Sequence, residues 1–180
     1  MWKYCCGVVL FLVLCSCASV NTGKQVKIEG YPNKPDLVVY EFCDADAYGA
    51  RLSEDTMKMV RKYFAGSVSL PVDTSKIYVI TDFKIKGFQV LEDYATVQVK
   101  YTLVAIVENN QLITDIKTIP PNVDFILTRE NGLWKISASK IPPCVYKETV
   151  LTYIDGLSEK ASAEEKVKLQ YLGFELKDIN

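Results

Sequence analysis

The 180-residue sequence contains no histidine. That excludes a Ser-His-Asp triad, a Cys-His dyad and a histidine-ligated zinc site. It also lacks a glycine-rich phosphate loop, a Gly-x-Ser-x-Gly elbow and a calcium-binding loop. No apolar run reaches the roughly 20 residues that a membrane-spanning helix needs. Charge of one sign is missing too. With 21 basic and 22 acidic residues, no basic stripe and no polybasic tail, nucleic acid is not an expected partner. There is no internal repeat and no low-complexity tract. Much of the usual enzyme repertoire is excluded by what is absent, and no cofactor is expected.

What is present begins at the N-terminus. Lys3 supplies one positive charge, and residues 5–15, CCGVVLFLVLC, are uncharged and almost wholly apolar. That length suits the core of a secretory signal. The run ends in Leu14-Cys15-Ser16-Cys17, which resembles the bacterial lipobox, whose cysteine is lipidated and becomes the new N-terminus. Cys17 fits because the small Ser16 precedes it, whereas the bulky Leu14 precedes Cys15. The competing reading is an ordinary cleaved signal with cysteines as small apolar residues. An acylated Cys17 would hold the protein on a membrane through two or more chains. In that family an aspartate after the cysteine favours the inner membrane. Ala18 stands there, which implies the outer membrane in a two-membrane envelope. The expected location is the cell envelope, facing the periplasm or the exterior.

Removing residues 1–16 takes away Lys3 and no acid, so the formal charge moves from −1 to −2. The remainder is the size of one domain and can bury a sizeable core. Its cysteines are Cys17, Cys43 and Cys144, too few for a four-cysteine metal site. Cys43 and Cys144 are left either as a disulfide in an oxidising compartment or as two buried thiols acting as small hydrophobes.

Residues 17–34 are polar, end in the Pro-rich stretch 31–35, and read as a flexible tether. A short edge strand at residues 25–28 is the alternative. From Asp36 the pattern is helical: Val38, Phe42, Ala45 and Gly49 line one face beside Val39 and Cys43, with Asp36 as N-cap. A second helix is expected from Ser53 to about Phe64. Beyond Lys76 the period becomes two. KIYVITDFKIKGFQVL is a long strand with Gly87 as a bulge, and ATVQVKYTLVAIV alternates cleanly before a turn at Asn109-Asn110. VDFILTRENGLWKISASK is a hairpin around Asn131-Gly132, the dipeptide that a type I′ turn prefers. Val145, Val150, Ile154 and Leu157 space as a helix ending near Gly156. Ser162-Ala-Glu-Glu165 is a capping box opening a last helix, which is expected to stop before Gly173.

Helices followed by long antiparallel strands predict an α+β fold, with helices packed on a curved, cone-like sheet and a C-terminal helical extension. The expected units are a signal over 1–16, a tether over 17–34, the α+β domain over 35–141 and the extension over 142–180. Val38-x-x-x-Phe42-x-x-Ala45, together with Phe125-x-Leu127 and Gly132-x-Trp134-x-Ile136, resembles the nuclear-transport-factor-two-like (cystatin-like, cone-shaped) superfamily. The resemblance covers residues 35–141. The chain departs from it in a short linker over 66–76 and in the added C-terminus. A cystatin-like sheet with one long helix is the rival fold.

That superfamily hosts enzymes, ligand carriers and interaction modules, so fold alone does not give function. Its enzymes use an Asp, Tyr or His inside the cone. Asp124 and Tyr101 are the weak catalytic candidates here, since a carboxyl in an apolar cleft would have a raised pKa and shuttle a proton. Strand alternation instead turns Asp124 to solvent and makes Tyr101 a core aromatic. The reading is therefore a membrane-anchored, non-catalytic module that binds a small apolar ligand or an envelope protein. The alternative is a small isomerase- or dehydratase-like enzyme. The resemblance also implies homodimerisation through the sheet face, with the C-terminal helices covering that face or plugging the cone. A plugged cone would exclude small-molecule chemistry.

Overall fold

The computed structural model describes residues 34–66, 68, 72–116, 122–138 and 141–179. The signal, Cys17 and all of the expected tether but Lys34 lie outside them. The architecture is mixed α+β, with a strongly curled half-barrel sheet and helices before and after it among the described residues.

Helix α1 (Pro35–Ala47) and helix α2 (Glu54–Arg61) come first. Asp36 is not the cap of α1: Lys34 holds that position and Pro35 opens the helix, where its fixed φ costs nothing and its missing N–H is not needed. Ser53 caps α2, accepting the amide of Thr56 at 3.3 Å. This helix stops at Arg61, short of Phe64, because residues 63–65 leave it to join the sheet. The amide of Ile136 donates to the carbonyl of Tyr63, and the amide of Ala65 donates to the carbonyl of Ile136.

Strands β1 (Lys76–Leu91) and β2 (Tyr94–Glu108) form one long antiparallel hairpin. A short β3 (Gln111–Ile113) returns along the end of β2 after Asn109 and Asn110, both at positive φ. Strand β4 (Asn122–Glu130) pairs with the first half of β2 and turns through Asn131-Gly132 into β5 (Leu133–Ala138). Their φ values of 50° and 79° are those the sequence predicts for this turn. Residues 144–146, expected as the start of a helix, are strand β6 (Cys144–Tyr146), parallel to β1 at Tyr78–Ile80. Helices α3 (Lys147–Lys160) and α4 (Ala163–Lys177) complete the chain. Both pass the glycines at which they were expected to end. Gly156 is exposed and tolerated. Gly173 is buried against α3, where a Cβ would meet Ile154 at 3.8 Å.

The sheet order is β5-β4-β2-β1-β6, with β3 on the far half of β2. Register shifts between Val79, Ile80 and Asp82 decide how the sheet is covered. Neighbours on a strand face opposite sides. Tyr78 and Ile80 accordingly join the core under α1, while Ile77 and Val79 join a second core under α3 and α4. Cys144 and Val145 divide the same way. The base of the sheet is thus covered on both faces, and the C-terminal helices cover a face rather than the mouth of the cup. Beyond the shifts Phe83 carries the inner face, and the outer face turns polar at Lys84, Lys100 and Gln98.

Candidate functional site

A cone-shaped α+β domain would place a ligand against the inner face of its sheet. Here that face is occupied by the protein itself. Phe42 of α1 is fully buried and meets Phe64 and Phe125 edge-on, with ring centroids 5.0 and 5.7 Å away. Trp134 and Ile136 of β5 close the floor, and Arg129 lies over the Trp134 ring at 4.6 Å. The motif residues quoted for the cone, Phe42, Phe125, Leu127, Trp134 and Ile136, are its filling.

One polar group is set into this packing. Asp46, wholly buried on α1, takes a bidentate pair from Arg51 at 2.6 and 2.7 Å and the amide of Cys144 at 2.9 Å. Arg51 also donates to the carbonyls of Ile141 and Pro142, both at 2.9 Å, and its guanidinium stands 5.3 Å from the Phe42 ring. Burial works against the Arg51 charge, but Asp46 outweighs it and raises the guanidinium pKa. Four of the five N–H donors of the fork have partners, and the pair ties α1 to the strand entering α3. Both side chains are buried, so the pair acts as a clamp between elements.

Beside it, the Cys43 thiol and the Tyr101 hydroxyl stand 3.1 Å apart. Cys43 and Cys144 are both free and buried. Burial pushes the Cys43 thiol up to about 12, and it raises Cys144 and Tyr101 well above their ordinary values. Neutral, buried thiols of this kind are poor nucleophiles. Tyr101 packs in the core near Phe83, ring centroids 6.3 Å apart. Asp124 faces the other way, exposed on the outer sheet face and accepting from Gln98 Nε2 at 3.1 Å. The two weak catalytic candidates therefore lie on opposite sides of the sheet and do not meet.

Sequence reading missed the Asp46–Arg51 clamp. A signal existed: Asp46 follows Val39 by seven residues and Phe42 by four, which sets a carboxylate on the apolar stripe of α1. Its partner, five residues on and past a turn, carries no such spacing.

Among the described residues no group of His, Cys, Asp and Glu could hold a metal ion, and no helix is long and apolar enough to cross a membrane. An open hollow of about 300 Å³ lies by Lys86, Phe88, Gln89, Thr96, Gln98 and Asp124, and another of about 210 Å³ lies where α3 meets α4. Among the described residues apolar side chains stand in solvent singly on α1 and at its end, on α2 and on β4, at Leu37, Tyr40, Tyr48, Met59 and Ile126, and in groups at two further places. One is the far end of the β1–β2 hairpin, where Leu91 is 76% and Tyr94 62% exposed. The other is the outer side of α4, at Val167, Tyr171 and Phe174.

Comparison with family models, with curated proteins and with solved structures finds no match for this chain.

Proposed function

We propose that the protein is a lipid-anchored, extracytoplasmic binding module of the cone-shaped, nuclear-transport-factor-two-like kind, working through its surface and without catalysis. The observation that carries this reading is the filled cup. Phe42, Phe125, Leu127 and Ile136 have no exposed surface, so the place where such a fold would hold a small molecule is taken up by its own core. The polar groups within it are matched to one another. Partners then meet the protein at its outer surface, and an envelope protein is the partner class favoured over a small apolar ligand. Cys17 carries the lipid in this reading, and Ala18 directs the protein to the outer membrane where there is one.

Two measurements on the full chain made in a bacterial host test the two halves. Cys17→Ala should abolish labelling by radioactive palmitate and release the protein from the membrane fraction, while Cys15→Ala should not. Loss of labelling in the Cys15 variant alone would overturn the assignment. Native mass spectrometry of the detergent-extracted protein should show polypeptide plus anchor. A further reproducible mass of a few hundred daltons, lost on denaturation, would contradict the filled cup.

A further inference from the structure

The sheet has two edges, and they are treated differently. On the β5 side, residues 63–65 supply a bridge from Phe64 to Ile136. On the β1 side, β6 pairs only with Tyr78, Val79 and Ile80. From Thr81 to Leu91 the outer edge of β1 has no strand beside it among the described residues. An unpaired edge presents a row of amides and carbonyls ready to pair with another strand, and proteins blunt such edges with lysines and bulges. Here the blunting covers only part of the edge. Lys84 precedes the register shift between Ile85 and Gly87, Lys86 sits in it, and the residues that follow, Phe88-Gln89-Val90-Leu91, carry no charge. Phe88 is 48% and Val90 47% exposed on the same face as the buried Val97 and Ala95, with which they pair. The apolar inner face therefore runs out to the edge and ends there in solvent.

We infer that this edge joins a second copy of the same chain, β1 against β1 in antiparallel register about a two-fold axis at Gln89. The sequence around that point is complementary to itself in this direction. Phe88 of one copy falls opposite Val90 of the other, on the inner face and twice over by symmetry. Leu91 falls opposite Gly87, where a Cβ would meet nothing within 4 Å, so the most exposed large apolar side chain lies over open space. Lys84 and Lys86 approach the acidic turn, Glu92 and Asp93, of the partner. A parallel arrangement would instead bring like charges together. The contact is isologous and closes at two copies, giving one continuous sheet across both. It uses the sheet edge and not the outer sheet face, where Lys84, Lys100, Gln98 and Asp124 surround the exposed Ile126. The inference holds wherever the chain is anchored, because it rests on the edge alone.

The test uses the full chain in the membrane of a bacterial host. Gln89→Cys places a thiol on the axis, and mild oxidation should give a covalent dimer on non-reducing gels. Lys100→Cys on the outer face should not, nor should the unaltered chain. The second arm is charge reversal. Lys84→Glu/Lys86→Glu and, separately, Glu92→Lys/Asp93→Lys should each lower the Gln89→Cys dimer yield roughly tenfold or more. Co-expression of the two variants, distinguished by tags, should restore it as a mixed dimer, which loss of folding would not do. A Gln89→Cys yield equal to that of Lys100→Cys would overturn the inference. So would cross-linking through Tyr171→Cys on α4 in its place, or appearance of the Gln89 dimer only after residues 18–33 are deleted, since the edge would then belong to the chain's own N-terminal segment.

Discussion

Val79 and Val90 lie on the same strand, eleven residues apart, and do opposite things. Val79 is wholly buried at the base of the sheet, under α3 and α4, while its neighbour Ile80 is wholly buried under α1. Val90, near the tip, is nearly half exposed. The base carries two cores back to back and the Asp46–Arg51 clamp. The tip has one partly covered face and an open edge. A strand of this length can serve both ends because its bulges change which side is buried. Stability accordingly resides at the base, and the tip leaves one edge of the sheet open.

The largest expected effect is at the clamp. Asp46→Ala strands a buried guanidinium and an amide, and it should lower unfolding free energy by about 3–5 kcal/mol in urea titrations. Asp46→Asn with Arg51→Met, which removes both charges, should recover a substantial part of that loss. Next comes the valine pair. Val79→Ala should cost about 2 kcal/mol through lost burial and a cavity between packed layers. Val90→Ala should stay within about 0.5 kcal/mol. Equal effects at the two positions would break the comparison outright.

The thiols add a pH dependence at the base alone. Burial holds the Cys43 thiol at about 12 in the folded protein against its ordinary 9.0, so its contribution to stability is complete below pH 9 and is lost as pH rises toward 12. Chemical denaturation in that window should show stability falling by up to about 1.4 kcal/mol per pH unit for this group. Cys43→Ala should reduce the slope and leave the part that Cys144 and Tyr101 contribute. A local effect is expected of Gly132→Ala: the φ of 79° forces an alanine into the left-handed region, at roughly 1–2 kcal/mol in the turn between β4 and β5.

Much of this architecture is legible in the sequence because it is local. The period-two runs over β1 and β2, the Asn131-Gly132 turn and the Ser162 cap each announce themselves within a few residues. The shift at Gly87 is foreshadowed by a glycine inside a strand pattern. Features that depend on distant chain segments are not legible. Residues 144–146 pair with β1 only after some sixty residues of chain have folded between them, so their apolar spacing reads as helix. Gly173 reads as a stop because nothing local reveals that α3 packs against it. The site is harder still. Asp124 and Tyr101 are visible as polar groups in strands, yet strand alternation alone separates them. The clamp and the open edge emerge from what the tertiary structure puts beside Asp46 and leaves off β1.

The division between base and tip is tested most directly by amide hydrogen exchange resolved along β1. Amides bonded into the sheet at residues 77–80 should exchange only through global unfolding, and those at 87–91 orders of magnitude faster when the tip is not paired with a partner. Uniform protection along the strand in a monomer would contradict the account, because it would mean that the tip is held as firmly as the base.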